Sequence, residues 1–172
     1  MSSVRQRRLG EDYRMVTELV TASGDALTIR ETRGTPPETY VLNYQCKGIE
    51  RIDRDAPVYR NEHRVRIELP AAYPAQQPVA IMLTAIFHPH VFSTSIICLG
   101  KRWTPAEYLD SLILRIGAII QYDPQYFDFS SPANREAASW AQGHMRLFPV
   151  GHCNFREARS GPSGEMLWTN IK

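Results

Sequence analysis

The sequence predicts an α+β fold: an N-terminal helix, a four-stranded antiparallel meander and C-terminal helices. Three patterns carry that prediction. An amphipathic helical period runs through residues 3–22. Short alternating segments follow, joined by short connections. A strongly apolar helical stripe then occupies the stretch after Thr104.

Each element follows from its own pattern. Leu9, Tyr13, Val16, Leu19 and Val20 keep helical spacing with arginines between them, and Gly24-Asp25 ends the run. Ala26 to Arg33 alternates through Leu27 and Ile29 as a first strand. Gly34, Pro36 and Pro37 break it, and Tyr40 to Tyr44 is the second. The charged residues 50–62 read as a loop. His63 to Leu69 alternates through Val65, Ile67 and Leu69 as a third, half-buried strand. Three prolines between Pro70 and Pro78 give a rigid, extended connection. Val79 to Phe87 is the fourth strand. Thr104-Pro105 reads as an N-cap with proline at the first helical position, and Glu107 falls in the first turn. Leu109, Leu112, Ile113, Ile116, Ile119 and Ile120 then recur at threes and fours, ending near Tyr122. Asn134 to Met145 is a last helix. Residues 1–146 form the predicted domain. Residues 147–172, with Gly151, Gly161, Pro162 and Gly164, form an irregular tail or docking appendage.

The composition narrows the function classes. The chain has 172 residues, 43% of them hydrophobic and 22% charged, so wholesale disorder is excluded. A net charge of +2 provides no polyelectrolyte attraction to nucleic acid or membrane, and neither is an expected partner. Of 20 basic residues only Lys47, Lys101 and Lys172 are lysines, a composition of GC-rich genomes. Three cysteines, Cys46, Cys98 and Cys153, without a Cys-x-x-Cys pair argue against a disulfide framework or a zinc cluster. A reducing, cytoplasmic setting is expected. Neither Val79 to Phe87 nor Leu112 to Ile120 has the length of a membrane span, and no signal-peptide stretch follows the basic N-terminus.

Residues 88–104 concentrate the chemistry: two histidines, a cysteine and a tryptophan in one long loop. Three readings of Cys98 stand side by side. It is a nucleophile, with Lys101 and Arg102 nearby to favour a thiolate. Or His88, His90 and Cys98 hold a metal, although Pro89 intervenes and no fourth ligand is evident. Or Cys98 is a small buried hydrophobe between Ile97 and Leu99.

His88-Pro89-His90, eight residues before Cys98 within Ile97-Cys98-Leu99, resembles the catalytic segment of ubiquitin-conjugating enzymes, which carries His-Pro-Asn ahead of its cysteine. Pro70-Ala71-Ala72-Tyr73-Pro74, Ile86-Phe87, Trp103-Thr104-Pro105-Ala106, Asp123-Pro124 and Ser131-Pro132-Ala133-Asn134 resemble further family motifs in the same order. The resemblance is dense over residues 63–142, rests on element order before that, and covers nothing after about residue 146. It implies the family fold and a conjugating activity. Cys98 would accept the C-terminus of ubiquitin, or of a ubiquitin-like protein, as a thioester from an activating enzyme. It would pass the acyl group to an amine, usually a lysine, of a target, with or without a ligase. No cofactor or metal is implied, since ATP is used upstream. The family docks its activating enzyme on the first helix, here bearing Arg5, Arg7, Arg8 and Arg14.

The departures are as informative. His90 stands where the family has an Asn proposed to donate to the oxyanion, so His90 is a candidate donor, general base or loop buttress. Only Leu99 to Arg102 separate Cys98 from Trp103, fewer than in the family. Asn61-Glu62 replaces a Gly-Gly. Ser131 falls where the family has Asp or Ser beside the catalytic groove, and serine there orients an amine by hydrogen bonding alone. The divergence and composition point to a bacterial member, and such relatives include conjugation operons tied to defence against phage. The alternatives are a non-catalytic scaffold of the same fold that binds a ubiquitin-like protein, and a cysteine hydrolase using Cys98 and His90.

Overall fold

In the computed structural model, residues 3–100, 103–126 and 128–156 are described. Lys101, Arg102 and the tail beyond Arg156 lie outside the described residues. Helix α1 spans Val4–Ser23, with Ser3 accepting the Gln6 N–H as its N-cap. Strands β1 (Leu27–Arg33), β2 (Thr39–Tyr44), β3 (Gly48–Asp53), β4 (Ala56–Arg60), β5 (His63–Glu68) and β6 (Val79–Met82) follow. Helices α2 (Leu109–Ile120) and α3 (Arg135–Gly143) complete the order. The main sheet is antiparallel in the order β1-β2-β5-β6. Its inner face alternates as the pattern requires: Tyr40, Leu42 and Tyr44 from β2 and Val65 and Ile67 from β5 are fully buried. They share one core with Leu9, Val16 and Leu19 of α1 and with Leu112, Ile113 and Ile116 of α2.

The expected loop at residues 50–62 is instead largely a hairpin, β3-β4. Its two-residue turn, Arg54-Asp55, has positive φ at both positions, 48° and 68°. That is the twist a tight hairpin needs, but the usual Asn-Gly signal is absent. A register shift between Ile49 and Arg51 also breaks the alternation. The hairpin builds a second small core from Ile49, Tyr122 and Ala141.

The fourth strand stops at Met82 rather than Phe87. Past Met82 one more backbone bond forms, Leu83 N–H to the Arg64 carbonyl at 2.8 Å, and the Arg64 N–H then goes to a side chain, Thr84 Oγ1, at 3.2 Å. Leu83 is exposed, so the apolar run Val79 to Phe87 did not mark one buried face. Asn134 caps helix α3, with Oδ1 accepting the Ala137 N–H, and the helix ends at Gly143, short of the expected Met145, before a short 3₁₀ turn, Met145–Leu147.

The start of α2 is the largest local correction. Thr104-Pro105 does not cap it: Thr104 to Glu107 form a separate turn, and the helix begins at Leu109 and ends at Ile120. Tyr108, at the cap position, makes no side-chain cap bond. The cap comes from another helix. Asp12 of α1, fully buried, accepts the Leu109 N–H at Oδ1 (3.0 Å). Its other oxygen accepts from Arg8 Nε (2.9 Å) and Tyr73 OH (2.5 Å). Arg8 also donates to the Pro105 carbonyl (2.6 Å) and to that of Glu107.

Residues 145–156 return to the body. Phe155 is buried edge-on to Tyr44, their ring centroids 5.5 Å apart. It packs so closely on Gly117 that a Cβ there would lie 2.4 Å from the ring. Gln121 holds both backbone groups of Cys153.

Replacing Asp12 by Ala removes the carboxylate shared by an arginine, a tyrosine and a helix terminus. The expected loss is about 3–5 kcal/mol of unfolding free energy in urea, since one member of a buried charged network is deleted. A loss below about 1 kcal/mol would show that Arg8 and Tyr73 re-pair without it.

Candidate active site

The chain between His88 and Cys98 folds back on itself. Val91 bridges Ile97, and Cys98 donates its N–H to the His90 carbonyl at 2.7 Å. The returning arm lies on β6, with Ile97 donating to Ala80 and Met82 donating to Ser95. Ser95, at φ 67°, turns the corner. The start of α3 ties in from the other side, because Asn134 donates its N–H to the Pro89 carbonyl at 2.9 Å. Trp103 donates to the Pro74 carbonyl at 2.8 Å and packs on Tyr73. The separated sequence motifs therefore meet as one framework around Cys98.

Cys98 is half-exposed, whereas Ile97 and Leu99 are buried. It opens on a cavity of about 450 Å³ that His90, Asp128, Ser131, Arg115 and Tyr126 also line. A core filler would be covered like its neighbours. Among the described residues no group of three or more His, Cys, Asp or Glu side chains is placed to hold a metal ion. His88 is turned to structural work: its Nδ1 accepts the His90 N–H at 3.0 Å, and its ring packs edge-on to Tyr122. Burial first, then the neighbouring His90 ring, lowers its pKa to about 3.

His90 is 6% exposed. Its Nε2 accepts the Asp128 N–H at 2.8 Å, which assigns a neutral ring with its proton on Nδ1. Burial lowers its pKa, against the opposing pull of the Asp128 charge. The bond ties Asp128 to the His90 ring, and both line the cavity. Asp128 itself is exposed. Ser130, through its hydroxyl at 2.5 Å and its N–H at 2.9 Å, holds the Asp128 carboxyl below its usual pKa. Ser131 stands exposed on the rim.

The four arginines of α1 divide. Arg8 is consumed by the Asp12 network, and Arg5 pairs with Glu38 and donates to the Pro70 carbonyl. Arg7 and Arg14 are exposed, Arg14 beside Glu18. Both charged residues of the cavity lining, Asp128 and Arg115, escaped the sequence reading. Asp128 belongs to an unpatterned loop and carried no signal. Arg115 carried one: a lone charge between Leu114 and Ile116 within an apolar helical run. Cys46 is fully buried and Cys153 partly so, with both thiols pushed up in pKa by burial. Among the described residues no helix is long and apolar enough to cross a membrane.

A helix, a four-stranded antiparallel sheet and later helices, with a cysteine loop at their junction, are the architecture of the ubiquitin-conjugating fold. Among solved structures, the ubiquitin conjugating enzyme E2 UbcA1 of Agrocybe aegerita is similar with a TM-score of 0.53 at 19% identity, covering 69% of this chain and 83% of that one. Ubiquitin-conjugating enzyme E2 2 of Kluyveromyces lactis is 29% identical over 151 residues, covering 86% of this chain and 84% of the relative. The protein of the same name from Saccharomyces cerevisiae is 30% identical over 151 residues, covering 86% and 80%. Residues 44–150 match the sequence profile described as ubiquitin-conjugating enzyme. The chain belongs to the ubiquitin-conjugating enzyme family.

Two buried histidines make stability depend on acid. Burial lowers His63 to about 4 and His88 to about 3, from about 6.5 in an unfolded chain. Below about pH 6.5 the unfolded chain binds protons that the folded chain refuses, so stability falls as pH drops. His63→Gln, remote from the cavity, should lose roughly 1–2 kcal/mol less than the parent between pH 7 and pH 5 in urea titrations. Equal losses would mean that His63 titrates alike in both states.

Proposed function

We propose that this chain is an active conjugating enzyme. Cys98 attacks the thioester carbonyl of a ubiquitin-like protein held on an activating enzyme, whose thiolate departs. The acyl group, now on Cys98, passes to the amine of a target lysine. The observation that carries the reading is the half-exposure of Cys98, at the mouth of a cavity, inside an otherwise buried triplet. The family membership supplies the class of reaction.

In this reading His90 is the buttress of the loop rather than its acid or base. Its Nε2 lone pair is already taken by Asp128, and its carbonyl holds the Cys98 N–H. Ser131 on the rim hydrogen-bonds the incoming amine. The activating enzyme docks on the exposed arginines of α1, Arg7 and Arg14. A cytoplasmic setting fits three free cysteines, one of them accessible and required as a thiol. A bacterial member acting in phage defence rests on the arginine-rich composition and the motif departures alone; the relatives reported above are fungal. The second reading, a non-catalytic scaffold, is disfavoured by the accessible cysteine.

The test is charging. The protein is incubated with ATP, an activating enzyme and its modifier, and run on a non-reducing gel. A thiol-sensitive adduct that is absent in Cys98→Ala is expected. No adduct, while the activating enzyme loads its own cysteine, would leave the scaffold reading. Arg7→Gln with Arg14→Gln should slow loading by about tenfold, the scale of one to two lost interfacial charge contacts, with only a small change in melting temperature because the Arg14–Glu18 pair it removes is exposed. Unchanged loading would move the docking face off α1.

A further inference from the structure

Arg115 is a cation in a place that packing does not explain. It lies on α2 between Ile113 and Ile116, both fully buried, and is itself only 9% exposed. Its Nη2 is 3.1 Å from Glu107 Oε1. Yet neither Nε nor Nη2, both buried, has a hydrogen-bond partner among the described residues. A guanidinium carries five N–H donors, and one carboxylate met without hydrogen-bond geometry falls well short of satisfying them. An apolar residue here would fold as well or better, because a buried ion pair seldom repays its desolvation. The same side chain lines the cavity beside Cys98, one helical turn before Ile119, which lines it too, and with Nε and Nη2 buried, Nη1 is the nitrogen left to face it.

Three backbone donors around the cysteine are already committed. The Cys98 N–H goes to the His90 carbonyl, the His90 N–H to His88 Nδ1, and the Asp128 N–H to His90 Nε2. His90 Nε2 presents a lone pair, not a proton. A developing oxyanion on an acyl group at Cys98 needs a donor other than these three, and a cation in the cavity wall is the strongest one available.

We propose that Arg115 holds the carbonyl oxygen of the acyl group carried on Cys98 and stabilises the oxyanion formed when an amine attacks it. This deepens the conjugating reading and rests on it. The amine lone pair forms the C–N bond while the carbonyl π pair moves onto oxygen, beside the guanidinium. The nitrogen proton passes to water. The oxygen pair then re-forms the carbonyl, the C–S bond breaks, and Cys98 leaves as thiolate. Thioester and amine become amide and thiol with no other reactant. Glu107, 3.1 Å from Nη2, positions the guanidinium.

The experiment uses the full chain with Arg115→Met, Arg115→Gln and Arg115→Lys. Each is loaded to completion and discharged onto free lysine in a single turnover. Discharge should fall about 10²–10³-fold in the two neutral variants, with recovery to within about tenfold in Arg115→Lys. Melting temperatures should hold or rise in Arg115→Met. Discharge at the parent rate in a neutral variant overturns the proposal. So does equal loss in all three with lowered melting temperature, which would mark Arg115 as a folding residue.

A second readout needs no conjugation chemistry: alkylation of Cys98, in a background lacking Cys46 and Cys153, by iodoacetate and by iodoacetamide. The rate ratio of anionic to neutral reagent should fall on the order of tenfold in Arg115→Met and persist in Arg115→Lys, as charge attraction in a partly wet cavity requires. An unchanged ratio shows that the guanidinium does not face the sulfur, and overturns the proposal. A changed ratio with parental discharge overturns it as well, leaving only a charged wall. If the parent protein never loads, the conjugating reading fails first and the oxyanion role falls with it, whatever the ratio.

Discussion

The Asp12 carboxylate is the joint on which the molecule turns. It is fully buried, yet three donors from three parts of the chain meet it: Arg8 one turn away, Tyr73 from the proline-rich connection, and the first N–H of α2. A buried carboxylate is tolerable only when its lone pairs are filled by good donors, and here a cation is among them. Helix α2 therefore starts at Leu109 because that is where α1 places the carboxylate. The rotation of α2 about its axis, and with it the direction of Arg115 and Ile119, follows from that start.

The cysteine loop depends on a second set of bonds made almost wholly by backbone. His88 to Cys98 doubles back through Val91 and Ile97, and β6, α3 and the segment around Asp128 each hold it by an N–H. Side chains at these joints are neutral rings rather than acids or bases. His88 and His90 both present acceptor nitrogens to backbone donors. Neutral histidines suit the task, because a charged ring in so dry a place would cost several kcal/mol and offer no acceptor. The result is a hydrogen-bonded rim around a partly exposed cysteine, with charge admitted at only a few points.

Much of this was legible. The alternation of Tyr40, Leu42 and Tyr44 and of Val65 and Ile67 marked the sheet, because side-chain period and burial coincide there. The spacing of His88-Pro89-His90 from Cys98 and the order of the proline and tryptophan motifs marked the candidate site, whose His90 and Cys98 line one cavity. The β3-β4 hairpin was not legible, since a bulge and an Arg-Asp turn erase the local signals. The cap of α2 was misread for a different reason. Thr104-Pro105 has the composition of an N-terminus, but the helix starts at Leu109, whose N–H is met by a residue almost a hundred positions earlier.

The sequence by itself determined which stretches bury a face and which residues are chemically able to react, because periodicity and residue type are local properties. Only the tertiary structure decided that Cys98 opens to solvent between covered neighbours, that His90 offers its lone pair to Asp128, and that Arg115 stands in the wall of the same cavity. Those three facts depend on contacts between segments distant in the chain. Burial and hydrogen-bond direction at such contacts are set by where the segments meet, and no local pattern encodes that meeting point.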